Sequence, residues 1–246
     1  MTTPLTLSAV QYQALDGGVA PNAAEHIRLI EDADDHGSRL VIFPELSLTG
    51  YALQRLSDPD HWLTPEDGRL DGVREICRRT GITAVVGAPY KEPDGTPRLA
   101  ALAVHPSGVV ESSFKVWLHG AEAEWFTAGE RAAVLTIDGW RVALAICYDA
   151  AHPEHAGSAA DDGADVYAVS GLYTAAEGRR LDLHLGARAM DHRMYSVLAN
   201  LGGTTPLGPS AGKSGFWGPD GFVLRQAAGT GTEVLTATLL HPAAGI

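Results

Sequence analysis

Short β-branched apolar runs alternate along the chain with stretches in which apolar residues recur every three or four positions, the pattern of strands separated by crossover helices. A layered α/β fold follows. Residues 5–11 read as a first strand, and Asn22 is placed to cap a helix over 23–36, with Ile27, Leu29 and Ile30 on its apolar face and Gly37 as its stop. Residues 39–44 form the next strand. A helix over 70–79 carries Cys77 and ends at Gly81, before the buried-strand run 82–88. The rhythm then changes to hairpins: 99–105 with 109–115 across Pro106-Ser-Gly108, and 133–137 with 140–147 across Asp138-Gly139. A helix from Pro153, a strand at 165–169, a helix over 179–192 and a strand at 195–201 restore the alternation, and a meander through 212–217, 222–224 and 234–238 follows. Crossovers together with hairpins mean mixed pairing.

The pattern shows no repeat, low-complexity tract or linker-like stretch, so a single domain over 1–246 is expected. Hydrophobic residues make up 45% and charged residues 20%, a composition that supports a large packed core. The formal net charge of −12, with no basic run, argues against a nucleic-acid partner and against an anionic membrane surface. No stretch reaches the ~18 uninterrupted apolar residues of a membrane span. The first ten residues lack the basic and apolar regions of an export signal, and with only two cysteines, Cys77 and Cys147, the chain fits a reducing cytoplasm. A special role for cysteine must therefore come from reactivity.

Three strand ends carry groups that belong together chemically. Glu45 follows the run Leu40-Val-Ile-Phe43 and Pro44, Lys115 ends the run 109–114, and Cys147 ends Val142-Ala-Leu-Ala-Ile146. In open α/β sheets the carboxyl ends of strands form the crevice where ligands bind. Taken singly, such residues are ordinarily a solvated loop charge, a surface lysine and a buried filler thiol. Together they make a nucleophilic site, because a thiol with a pKa of about 8.5 needs either a cation to favour thiolate or a carboxylate to take its proton.

Phe43-Pro-Glu45-Leu-Ser-Leu-Thr-Gly-Tyr51, Phe114-Lys115-Val-Trp-Leu and Ile146-Cys147-Tyr148-Asp149 followed by Pro153-Glu154 resemble the three catalytic motifs of the nitrilase superfamily of carbon-nitrogen hydrolases, in the family's order. The likeness continues through Phe126-Thr-Ala-Gly129, Gly163-Ala-Asp165, Ala187-Arg188-Ala189, Ala199-Asn200, Gly212-Lys-Ser214 and Pro219-Asp-Gly221, covering nearly the whole chain. The resemblance implies an α/β fold of four layers, an α-β-β-α sandwich with two mixed sheets face to face, and pairing with a second subunit. It also implies a thiol-dependent hydrolase that cleaves a non-peptide C–N bond through a thioester on the cysteine. Cys147 would attack the carbonyl carbon, Glu45 would act as general base and then donate to the leaving ammonia or amine, and Lys115 with the Tyr148 backbone N–H would stabilise the oxyanion. No cofactor or metal enters the scheme.

The family's second glutamate, four residues before the Phe of a Phe-x-x-Gly turn, falls at Glu122; the segment 118–125 is about one residue short, which leaves Glu124 as the alternative. His152 stands where the family has an aromatic residue before Pro-Glu, and Ala128 where proline is common. Tyr51, Trp117, Glu124, Trp125, Tyr148, His152 and Tyr173 are the candidates for the pocket wall, with Glu122 taken as the catalytic glutamate, although aromatics of this kind more often serve as core or interface. Asp149 and Glu154 read as anchors of the turn after the nucleophile. Gly208-Pro-Ser-Ala-Gly212-Lys213-Ser214 has the wrong glycine spacing for a phosphate loop, and His152 with His155 lacks further ligands for zinc.

Cys147-Tyr148-Asp149 looks more like the amidase and carbamoylase branches than the true nitrilases, which carry Trp-Glu directly after the cysteine. The expected substrate is a small amide or N-carbamoyl compound; nitrile hydrolysis on the same residues and a non-catalytic binding or assembly relative are the alternatives. The acidic residues around the site suggest a pocket that takes neutral or cationic substrates over multiply anionic ones, unless Arg188 or Arg193 reaches in. The apolar segment 195–201, beside the helix ending at His192, is the expected seam of a homodimer or larger homo-oligomer.

Overall fold

The computed structural model describes residues 3–241. In its first half the strands are β1 (Leu5–Gln11), β2 (Leu40–Ile42), β3 (Thr83–Lys91), β4 (Pro97–Val104) and β5 (Val110–Phe114), with helices α1 (Val19–Asp34) and α2 (Asp71–Thr80). The second half has β6 (Val134–Ile137), β7 (Trp140–Ile146), α3 (Pro153–Asp161), β8 (Val166–Gly171), α4 (Gly178–His192) and β9 (Tyr195–Asn200). A minimal hairpin of β10 (Thr204–Thr205) and β11 (Gly208–Pro209) follows, then β12 (Gly215–Trp217), β13 (Val223–Gln226) and β14 (Glu233–Leu239).

Two six-stranded sheets result, ordered β14-β1-β2-β3-β4-β5 and β13-β12-β9-β8-β7-β6. Each has three parallel strands at its centre, β1-β2-β3 and β7-β8-β9, flanked by antiparallel neighbours. The hairpin between β6 and β7 turns at Asp138 (φ 49) and Gly139 (φ 88), the two positive φ values that a tight right-twisting hairpin requires.

Alternation along the strands builds the layers, because successive side chains point to opposite faces. Leu5, Leu7 and Ala9 of β1, with Val142, Leu144 and Ile146 of β7, enter the core between the sheets. Val10, Val41 and Val86 face the other way, onto α1 and α2. On the second sheet Ala143, Ala145 and Val169 face α3 and α4, the small alanines letting the helices approach closely. The order of layers is helix, sheet, sheet, helix. The ends of β1 and β9 are joined across the sheets, Tyr12 N–H donating to Asn200 O (3.3 Å) and Gly202 N–H to Tyr12 O (2.7 Å). The carboxyl ends of both parallel sets therefore meet at one end of the sandwich.

Three sequence expectations change. Helix α1 starts at Val19, ahead of the expected 23, with Gly18 (φ 78) at its N-cap position. Asn22 is no cap: its buried amide accepts from Leu15 N–H (2.8 Å) and the Tyr12 hydroxyl (2.6 Å) and donates to Leu15 O and Gly18 O, clamping the incoming loop. Between β2 and α2, where no element was expected, the chain makes short 3₁₀ turns at Leu53–Ser57, Pro59–His61 and Gly68–Leu70. Finally, β9 lies between β8 and β12 and its residues are buried except for half-buried Tyr195, so it is interior and cannot be the seam of a dimer.

Candidate active site

Glu45 is delivered by a turn that leaves β2 and folds against β3. Leu46 there takes the left-handed conformation (φ 50), and Leu48 N–H donates to Gly87 O (2.9 Å). A Cβ on Gly87 would stand 2.2 Å from Pro44 O and 2.5 Å from Leu46 N, so only glycine lets the turn lie this close. From behind, His26 stacks on Phe43 (3.9 Å between ring centres) and bonds Ser47 Oγ (2.9 Å), which also accepts from Gly87 N–H. Burial pushes the His26 imidazole down to about 3, so it packs there without charge.

Lys115 continues the β4–β5 pairing by one residue, its N–H donating to Leu99 O (2.9 Å). Its buried ammonium donates to Glu45 Oε1 (2.6 Å) and Glu122 Oε1 (2.7 Å). Glu122 stands on a single 3₁₀ turn (Gly120–Glu124), accepting also from the Tyr51 hydroxyl (2.5 Å) and, through Oε2, from His119 N–H (2.8 Å). Glu124 projects from the same turn into solvent. It is not part of the site.

Cys147 directly follows β7 in a left-handed conformation (φ 49), a strained placement for a non-glycine residue that turns the chain sharply at the nucleophile. Its Sγ lies 3.5 Å from Leu172 O. Asp149, two residues on and buried, ties the site together: Oδ1 accepts from Val116 N–H (3.1 Å) and Trp117 N–H (2.8 Å), and Oδ2 from Ile146 N–H (3.0 Å). One carboxylate thus fixes the loop after Lys115 to the turn around Cys147. The Arg188 guanidinium supports that turn from behind, donating to Ala150 O (3.0 Å) and Ala151 O (3.2 Å). Asn200 holds the neighbouring loop, accepting from Tyr173 N–H (2.8 Å) and donating to Tyr173 O and Gly212 O.

Burial pushes the Glu45 carboxyl up to about 7; the Lys115 ammonium opposes this and the Glu122 charge adds to it. Burial and the Glu45 charge also raise the Cys147 thiol well above its usual value, so it is protonated near neutrality and needs a base. Burial alone would lower Lys115, but Glu45, Cys147 and Glu122 together hold its ammonium above the usual lysine range. Glu45 Oε2 has no hydrogen-bond partner among the described residues, and is the oxygen free to take a proton.

Glu45, Glu122 and Cys147 open onto a cavity of about 50 Å³, walled also by Tyr51, Tyr148 and Tyr173. Trp117 and His152 are not in its wall: their rings stack on each other at 4.0 Å, with Tyr148 edge-on to His152 at 4.9 Å, so they back the wall rather than form it. Trp125 packs instead at the fringe of the core between the sheets. Neither Arg188 nor Arg193 lines the cavity; His119, Leu172, Leu207 and the α4 residues Arg180 and His184 do, with Glu177 just before that helix. Nothing in the sequence sets these apart from ordinary loop and helix-surface residues; of the expected helix over 179–192, only the spacing of 180 and 184 puts two of them on one face. Among the described residues no group of three or more His, Cys, Asp or Glu is placed to hold a metal ion. No helix of the described residues is long and apolar enough to cross a membrane.

The sequence profile described as carbon-nitrogen hydrolase matches residues 6–242. The chain belongs to the carbon-nitrogen hydrolase family. It is 29% identical to a nitrilase of Pyrococcus abyssi over 89% of this chain and 83% of that protein. An (R)-stereoselective amidase of Pseudomonas sp. is 27% identical over 91% of this chain and 81% of its own length. In three dimensions the hydrolase superposes with a TM-score of 0.87 on a double mutant of the amidase from Nesterenkonia sp. AN1 in complex with acrylamide, at 26% identity and covering 97% of this chain and 91% of that one. The four-layer sandwich is thus the fold of an amidase of this family, and the chain is an enzyme acting on carbon-nitrogen bonds rather than a silent scaffold.

Proposed function

We propose that the enzyme hydrolyses a small amide or N-carbamoyl compound through a thioester on Cys147, the whole of 1–246 acting as one domain around the core its two sheets share. The observation that carries this reading is the buried Lys115 ammonium, held between Glu45 and Glu122 beside a half-buried Cys147 at a small cavity. Glu45 takes the thiol proton as the sulfur bonds to the carbonyl carbon, and the carbonyl electrons move onto oxygen. Preorganised donors at a developing oxyanion each contribute about 100- to 1000-fold, and Lys115 and the Tyr148 N–H are the donors at hand. The tetrahedral species collapses as Glu45 returns the proton to nitrogen, ammonia or an amine leaves, and an acyl thioester remains. Water then gives a proton to Glu45 and its oxygen to the acyl carbon; the thiol departs with that proton and the acid is released. A carboxyl near 7 suits both halves of this cycle, since a group that must accept and donate works best close to the ambient pH. Glu122 fixes the ammonium and, through Tyr51, one wall of the cavity.

Mixing enzyme with butyramide or N-carbamoylmethylamine, then acid quenching and intact-mass measurement, should show the acyl or carbamoyl adduct on Cys147 together with release of ammonia or amine. Absence of any adduct in the presence of turnover overturns the thioester. Nitrile hydrolysis is the second reading, favoured by the Pyrococcus relative. It prevails if kcat/KM for nitriles exceeds that for every matched amide and carbamoyl compound.

A further inference from the structure

Three of the residues that line the cavity lie at or near the start of one helix. Glu177, at the entry to α4, then Arg180 and His184 recur at spacings of three and four, which stacks them on the side of the helix turned to the cavity. They add charged and polar groups to a lining that also holds His119, Tyr148 and the apolar residues Ala151, Leu172 and Leu207. Such a wall suits a substrate whose far end is polar.

The charges there are unevenly committed. Glu177 Oε2 already accepts from Thr174 N–H (3.0 Å) and the Thr174 hydroxyl (2.9 Å). Its Oε1 lies a long 3.5 Å from Arg180 Nη1, a contact that engages one of the five N–H donors of a guanidinium. Arg180 is the one lysine or arginine among the cavity-lining residues, and it stands in the first turn of α4, where the helix dipole adds positive potential. The deeper cation, Lys115, is already bonded to two carboxylates. His184 contributes no charge, because burial, with Arg188 and Arg180 nearby, pushes it down to about 4.

We propose that Arg180 forms an anion subsite that holds a carboxylate at the end of the substrate remote from the scissile carbonyl. The preferred substrates are then carboxylate-bearing monoamides or ureido acids, for example the half-amide of a short dicarboxylic acid or an N-carbamoyl amino acid. This rests on the proposed hydrolysis and narrows it, and it replaces the expectation of a preference for neutral or cationic substrates. A planar guanidinium matches a carboxylate with two parallel hydrogen bonds.

The test compares kcat/KM for succinamate, glutaramate and N-carbamoylglycine with that for butyramide, valeramide and N-carbamoylmethylamine, in the native enzyme, Arg180→Gln and Arg180→Lys. The native enzyme should favour the carboxylates by on the order of 10- to 100-fold, the scale of one charge-assisted pair. Arg180→Gln should bring that ratio near one, mainly through KM, and Arg180→Lys should keep part of it. A ratio unchanged by Arg180→Gln, including the case where both series slow equally, overturns the subsite, as does turnover of the uncharged series alone. The half-amide and ureido arms distinguish the two sources of the carboxylate. No turnover of either series overturns the hydrolytic reading itself.

Discussion

With Lys115 bonded to Glu45 at 2.6 Å and to Glu122 at 2.7 Å, one ammonium faces two carboxylates, and burial leaves Glu45 with a pKa of about 7. A general base works only when ionised, so kcat/KM should climb with pH and level off above about 7. Because the Glu122 charge is one reason for the high value, Glu122→Gln should move that acid limb to lower pH while reducing kcat by about 100-fold or more. A limb near 4 in the native enzyme, the ordinary glutamate range, would mean that burial does not hold the Glu45 carboxyl up. Cys147→Ala should lose several powers of ten in rate, the usual outcome of deleting a covalent nucleophile. Retention of a tenth of the native rate is incompatible with thiol chemistry. Glu124, exposed on the same short turn as Glu122, supplies the control: Glu124→Gln should keep kcat within about twofold, as surface substitutions usually perturb little.

At the scale of elements, the catalytic groups hang from turns whose shape depends on residues that do no chemistry. Gly87→Ala would drive a methyl group to within 2.2 Å of Pro44 O, displacing the turn that presents Glu45. It should cost about 1–3 kcal/mol of stability and a larger share of activity, whereas Gly229→Ala, with nothing within 4 Å of its Cβ, should change neither. Thermal melts alongside kcat would separate the two effects. Asp149→Asn keeps the size of the side chain but gives up one of two carboxylate oxygens that accept backbone N–H groups, so kcat should fall with little change in KM. The ends of β2, β5 and β7 were legible in the sequence because each strand-like run stops at an ionisable or reactive residue. That Glu122 rather than Glu124 meets Lys115 was not decided there, since the choice depends on a 3₁₀ turn with no period of its own. The start of α1 was missed because Asn22 looks like a cap and serves as a loop clamp. The pairing of Leu5 with Leu239 and the division into two sheets have no local signature, as they join segments at opposite ends of the chain; the second sheet came from the family resemblance alone. Glu177, Arg180 and His184 were passed over because charged and polar residues on a helix face ordinarily meet solvent.

Across the whole molecule, the apolar surface left open lies away from the interior strand β9. Leu183 and Met190 are two turns apart on α4 and 62% and 56% exposed, while Phe222, at the turn between β12 and β13, is 74% exposed and Leu224 is 55% exposed. A Cβ built on Gly221 would stand 3.2 Å from the Met190 Cβ, so the turn carrying Phe222 abuts the helix. The inner face of α4 already packs through Leu181, Leu185 and Ala189 against the second sheet. We propose the exposed apolar side chains of α4 and the adjoining turn as an association surface, with a second copy of the chain as the occupant that the family resemblance implies. Helix α4 also presents Arg180 to the cavity, so pairing through its outer side would hold the substrate-facing side in place. Light scattering at micromolar concentration should give about twice the 25.9 kDa of one chain, and Leu183→Glu with Met190→Glu should return the mass to that of a monomer. Those charges face solvent in the isolated chain, so the double variant should keep its fold by circular dichroism. A native monomer refutes the association, and a double variant that stays dimeric moves the seam to another surface.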